Sequence, residues 1–104
     1  MIIAIDFDGT ISRGKYPAID GLQPYATEVI NRLYQAGHYL IINTCRSGEQ
    51  YLEAVNFMLS AGIPFHRVND NHPEQTVLYN NNSRKRYADI YVDDRKKKNE
   101  LKNN

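Results

Sequence analysis

The sequence predicts an α/β fold, with a parallel sheet of about four strands and flanking helices. Two observations carry that prediction. Short unbroken apolar runs bounded by polar turn residues recur along the chain, the pattern of strands covered on both faces. Stretches with helical apolar spacing separate them, and strands alternating with helices imply a parallel sheet with right-handed crossovers. The 104 residues are close to the commonest size of a single domain, so one core spanning residues 1–104 is expected.

The first strand is Ile2 to Ile5, which leads straight into Asp6 and a turn at Gly9. A polar, glycine-containing stretch follows (Ser12-Arg13-Gly14-Lys15). Pro24 is then placed to open a helix whose apolar residues Tyr25, Ala26, Val29, Ile30 and Leu33 recur at helical spacing, and Gly37 ends it. Tyr39 to Ile42 repeats the buried-strand pattern and delivers Asn43-Thr44-Cys45-Arg46. Ser47-Gly48-Glu49-Gln50 has the spacing of a capping box for a second helix, supplied by Leu52, Val55, Phe57 and Leu59 and closed by Gly62. Phe65 to Val68 reads as a short third strand. The nineteen residues from Asn69 to Tyr87 are too long for a structureless connection and predict a short helix from about Pro73. Ala88 to Val92 is the fourth strand. It runs into Asp93-Asp94 and a basic tail, Arg95 to Lys98.

Composition is ordinary for a soluble globular protein, with 41% apolar and 24% charged residues, and a net charge of +1 gives no global pull toward nucleic acid or membrane. The single cysteine, Cys45, excludes an intrachain disulfide and a multi-cysteine zinc site, and fits a reducing cytoplasm. The N-terminal apolar run is too short for a signal peptide or a membrane span.

Ligands of open parallel sheets bind beyond the carboxyl ends of the strands. Asp6 and Asp8, Thr44, and Asp93 with Asp94 all fall there. Side chains two apart on an extended segment share a side, so Asp6 and Asp8 can share a site while Phe7 packs away from it. Four carboxylates together repel unless cations enter, and all-oxygen ligands select a hard ion such as magnesium. A basic side chain should complete the site, with Arg84, Lys85 and Arg86 as candidates. Asp6 is then a nucleophile that forms an acyl phosphate, and Asp8 a general acid and later base. Thr44 and the metal would hold phosphoryl oxygens. Gly9 would let the backbone and its amides approach the anion, and Arg46 would either contact substrate phosphate or, as a helix-start arginine, pair with a surface acid.

These residues, in this order, resemble the haloacid dehalogenase superfamily of phosphohydrolases, whose first motif is Asp-x-Asp-Gly-Thr, here Asp6-Phe7-Asp8-Gly9-Thr10. The second motif matches Thr44, the third is best matched by Lys85, and the acidic fourth matches Asp93-Asp94. The stretches from Asn43 to Gly48 and from Tyr87 to Arg95 are similar to those of small, capless bacterial and phage members. The resemblance implies a Rossmann-like core without a cap. It implies an aspartyl-phosphate intermediate on Asp6, and magnesium held by Asp6, the Asp8 carbonyl and an acid of the fourth motif. It also implies phosphate monoesters as substrates, either small molecules or nucleic-acid ends. The chain stops soon after Asp94, so the fourth strand is expected at an exposed edge, which either invites a homo-oligomer or marks a truncated chain.

Other readings are weaker. A phosphoaccepting signalling domain uses similar groups, but its acid pair follows the first strand and its accepting Asp the third, whereas here the third strand ends in Val68-Asn69. A binding module that keeps the fold without turnover is separable only by assay. A cysteine phosphatase needs Arg six positions after the Cys, and position 51 is Tyr51. His38, His66 and His72 lack metal-ligand spacing.

Overall fold

The structure, a computed structural model, describes residues 1–70 and 88–93. The apolar runs form the parallel strands β1 (Ile2–Asp6), β4 (Tyr39–Asn43), β5 (Arg67–Val68) and β6 (Ile90–Val92). Between β1 and β4 lie the short strands β2 (Ser12–Arg13) and β3 (Gly21–Leu22), then helix α1 (Ala26–Gln35); helix α2 (Gly48–Ser60) joins β4 to β5. The sheet order is β5-β4-β1-β6, so the winding direction reverses beside β1, as in a Rossmann-like sheet. No cap domain occurs among the described residues.

Side-chain alternation explains why β1 and β4 are central. Ile3, Ile5, Leu40 and Ile42 join one buried cluster with Ile30 of α1 and with Ala54 and Met58 of α2. Ala4 and Ile41, which point to the other face, are equally buried. Strands covered on both faces must be apolar throughout, and that is why continuous runs mark them. The β1 and β4 strands pair in register over five residues, from Ile2 opposite Tyr39 to Asp6 opposite Asn43. Pairing of β1 with β6 covers three, ending at Ile5 opposite Val92.

Several boundaries differ from expectation. Helix α1 begins at Ala26 rather than at Pro24, because Tyr25 adopts a left-handed conformation (φ 65°) and serves as the N-cap. Tyr25 and Val29 are exposed, and Ile30 is the buried residue of the helix. Ser47 is the N-cap of α2 but its side chain makes no capping hydrogen bond, so the capping box does not close. Leu52 and Leu59 face solvent, while Ala54 and Met58 fill the core. The third and fourth strands are shorter than their apolar runs, though backbone bonds from His66 N–H to Leu40 O (2.9 Å) and from Asp89 N–H to Ile2 O (2.8 Å) continue their ladders. The pair β2–β3 was not foreseen. It is antiparallel, with Ser12 opposite Leu22 and Arg13 opposite Gly21. It closes residues 14–20 into a strap beside the end of β1. Among the described residues β6 is an edge of the sheet, as expected. The predicted helix from Pro73 and the basic tail lie outside the described residues.

Candidate functional site

The chain turns sharply after Asp6, and the Phe7 carbonyl organises the turn. It accepts backbone hydrogen bonds from Thr10 (3.3 Å), Ile11 (2.9 Å) and Ser12 (3.1 Å), while the Gly9 N–H donates to Ser12 O (3.2 Å). Gly9 sits at φ 82°, a conformation that glycine adopts without steric penalty, and so permits the tight return. The Gln23 side-chain amide fastens the turn from outside, donating to Gly9 O and Ser12 O at 3.2 Å each. The amides of Gly9 to Ser12 thus bond inward, and the anion cradle expected around Gly9 is not formed by them. Phe7 is fully buried, its ring edge-on to Phe57 with centroids 6.1 Å apart.

This turn places Asp6 and Asp8 on one cleft of about 390 Å³, lined by Asp6, Asp8, Tyr16, Thr44 and Cys45. Three residues expected to act together, Asp6, Asp8 and Thr44, therefore do meet at the carboxyl rim of the sheet. Thr44 is oriented on both sides of its backbone. Its N–H donates to Asn69 Oδ1 (2.8 Å), and its hydroxyl accepts from the Arg46 N–H (3.1 Å). Asn69 can reach across because it adopts φ 55° directly after β5, and its own N–H bonds Ile42 O (2.8 Å). Asp93 follows Val92, the residue opposite Ile5, and so leaves the sheet beside Asp6 on the neighbouring strand. Lys85 and Asp94, with the rival bases Arg84 and Arg86, lie outside the described residues.

Of the two readings of Arg46, contact with substrate phosphate or pairing with an acid, the structure shows pairing, and the acid is Asp8 of the motif rather than a surface residue, with the arginine buried behind it. Its Nε donates to Asp8 Oδ1 (3.2 Å) and Oδ2 (3.0 Å), and Nη2 donates to Asp8 Oδ1 (2.7 Å) and to Pro17 O (3.1 Å). The Arg46 side chain is 0% exposed against 32% for Asp8. Its guanidinium carbon lies 5.3 Å from the Phe7 ring centroid and 4.9 Å from that of Tyr16. Hydrogen bonding to Asp8 is the largest influence on this guanidinium and raises its pKa above the ordinary value, although burial opposes the shift.

The sequence reading missed Tyr16, Asn69, Gln23 and Pro17. Tyr16 offered a signal, an aromatic residue in a polar, glycine-bounded loop just after the acid motif. Asn69 offered another, since an asparagine closing a strand tolerates positive φ.

The carboxylates and hydroxyls of Asp6, Asp8, Tyr16 and Thr44 give the cleft mostly oxygen donors beside the Cys45 thiol, and the oxygen donors suit a hard cation. Among the described residues, however, no three His, Cys, Asp or Glu side chains form a metal-sized group. Magnesium takes one or two carboxylates and keeps water in its other positions, so Asp6 and Asp93 on adjacent strands fit it. No helix among the described residues is long and apolar enough to cross a membrane.

No protein-family model and no curated protein matches the chain. Among solved structures, it is similar to a conserved protein from Bacteroides thetaiotaomicron, with 40% identity and a TM-score of 0.79 over 91% of this chain and 76% of that one.

Proposed function

For a chain that belongs to the same family as this conserved Bacteroides thetaiotaomicron protein, we propose a magnesium-dependent phosphatase of the haloacid dehalogenase type that hydrolyses phosphate monoesters. One observation carries the reading: Asp6, Asp8 and Thr44 share a cleft at the carboxyl rim of the sheet, beside the strand where the winding reverses.

An Asp6 carboxylate oxygen attacks phosphorus, and the bond from phosphorus to the leaving oxygen breaks. Asp8 gives that oxygen its proton, so the alcohol departs neutral. The phosphoryl group is then held on Asp6 as an acyl phosphate. Water attacks the same phosphorus and passes a proton to Asp8, and cleavage of the phosphorus–Asp6 bond releases inorganic phosphate. Thr44 lines the cleft, and its hydroxyl, which accepts from the Arg46 N–H, keeps a proton to donate to a phosphoryl oxygen. Magnesium, held by Asp6, Asp93 and the Asp8 carbonyl with Asp94 as a further acid, would neutralise charge on the phosphate. Lys85 would complete the charge balance. With no cap among the described residues, the mouth would admit large phosphorylated groups, including nucleic-acid ends as well as small molecules. The lone exposed cysteine suits a cytoplasmic setting.

The test is hydrolysis of 4-nitrophenyl phosphate. Turnover is expected with magnesium, none is expected with EDTA, and Asp6→Asn should remove it. An Asp6→Asn variant as fast as the parent would show that another group is the nucleophile.

A further inference from the structure

Arg46 lies at the centre of the site yet lines none of the cleft. With its side chain 0% exposed, it offers no nitrogen to an anion arriving from solvent. It does connect three segments that are remote in sequence. Its backbone N–H fixes the Thr44 hydroxyl, its Nε and Nη2 grip the Asp8 carboxylate, and Nη2 also bonds Pro17 O on the strap. The Phe7 ring, from the turn itself, and the Tyr16 ring, from the strap, both approach its guanidinium.

With the guanidinium buried and Asp8 half-exposed at the cleft, desolvation of Arg46 offsets much of the attraction, and the pair is a poor source of stability. It also leaves Nη1 buried with no hydrogen-bond partner among the described residues. What such a fork supplies is direction, since two parallel donors fix a carboxylate in both position and rotation. The fork is made to the ionised carboxylate, the form that takes a proton from the attacking water, and a group that must take and then return protons at one place needs that control.

We propose that Arg46 is a positioning residue for the hydrolysis described above. It holds the Asp8 carboxylate and the strap bearing Tyr16 in one arrangement, and it acts on substrate through them alone. The proposal rests on the phosphatase reading and adds a role that neither the acid motif nor the strand ends contain. Arg46→Met removes the fork; Arg46→Lys keeps a charge but loses the parallel donors.

The experiment measures kcat and KM on 4-nitrophenyl phosphate and on an alkyl phosphate, glycerol phosphate, for the parent, Arg46→Met, Arg46→Lys, Asp8→Asn and the Asp8→Asn/Arg46→Met double variant. A nitrophenolate departs with little protonation, whereas an alkoxide needs the acid. Arg46→Met should therefore lower kcat on the alkyl ester by about tenfold or more, part of what a positioned acid contributes, and lower it much less on the nitrophenyl ester. KM should hold on both, Arg46→Lys should recover part of the loss, and Arg46→Met should add nothing in the Asp8→Asn background. A rise in KM on both esters with kcat intact would make Arg46 a substrate contact and overturn the proposal. Equal losses on both esters that add to those of Asp8→Asn would reduce it to a packing residue. If Arg46→Met does not fold, Arg46→Lys carries the same comparison.

A second measurement does not depend on turnover. The Arg46 Nε–H resonance should be protected from solvent exchange in the parent and lose protection in Asp8→Asn. An unchanged resonance overturns the clamp whatever the kinetics show. An inactive parent whose Arg46 resonance behaves as expected counts against the phosphatase reading and not against the clamp.

Discussion

The two sides of Asp6 are built differently. Toward β4 the sheet pairs over five residues between strands buried on both faces, and bonds continue past the strand ends through Phe7 N–H to Asn43 O (2.9 Å), Thr44 to Asn69, and Arg46 to Asp8. Toward β6 it pairs over three, with Ile90 and Val92 half-buried and Tyr91 exposed. Among the described residues the β4 side is therefore the more densely held, and the β6 side carries Asp93 on a lighter support.

That contrast can be broken by mutation. Phe7→Ala should be the most damaging, about 3–5 kcal/mol by urea denaturation, because it empties a fully buried site beneath Arg46 and beside Phe57. Leu40→Ala in β4 should cost about 2–5 kcal/mol in the same assay. Asn69→Ala should cost about 2 kcal/mol, roughly half from the lost bond to Thr44 and half from forcing alanine to positive φ. Asn69→Gly separates the two, since it relieves the backbone and should cost only about 1 kcal/mol. Val92→Ala on β6 should be smallest, about 1 kcal/mol, as befits a half-buried side chain. If Val92→Ala proves as damaging as Leu40→Ala, the two sides are not different in the way described.

The same contrast governs what could be read in advance. The β1 and β4 strands were legible because burial on both faces demands an unbroken apolar run. The convergence of Asp6, Asp8 and Thr44 followed from their place at strand ends. The strap was not legible. Its strands are two residues long and carry no run at all, so hydrophobic periodicity has nothing to register. Arg46 stayed open between a phosphate contact and an ion pair for another reason: its partners are Asp8, 38 residues away, and Pro17, 29 away, and no local pattern records such distances. A basic residue just past a strand end resembles a phosphate ligand until the partner that claims it is known. The start of α1 moved because the conformation of Tyr25, not the proline before it, decides where helical bonding begins.

The strap is held at its base by β2 and β3 and near its middle by the bond from Arg46 to Pro17 O. A rim pinned at both places does not swing as a gate. Among the described residues the rim thus offers no gate, and under the proposed phosphatase reading substrate capture should follow viscosity and ionic strength rather than the rate of this strap.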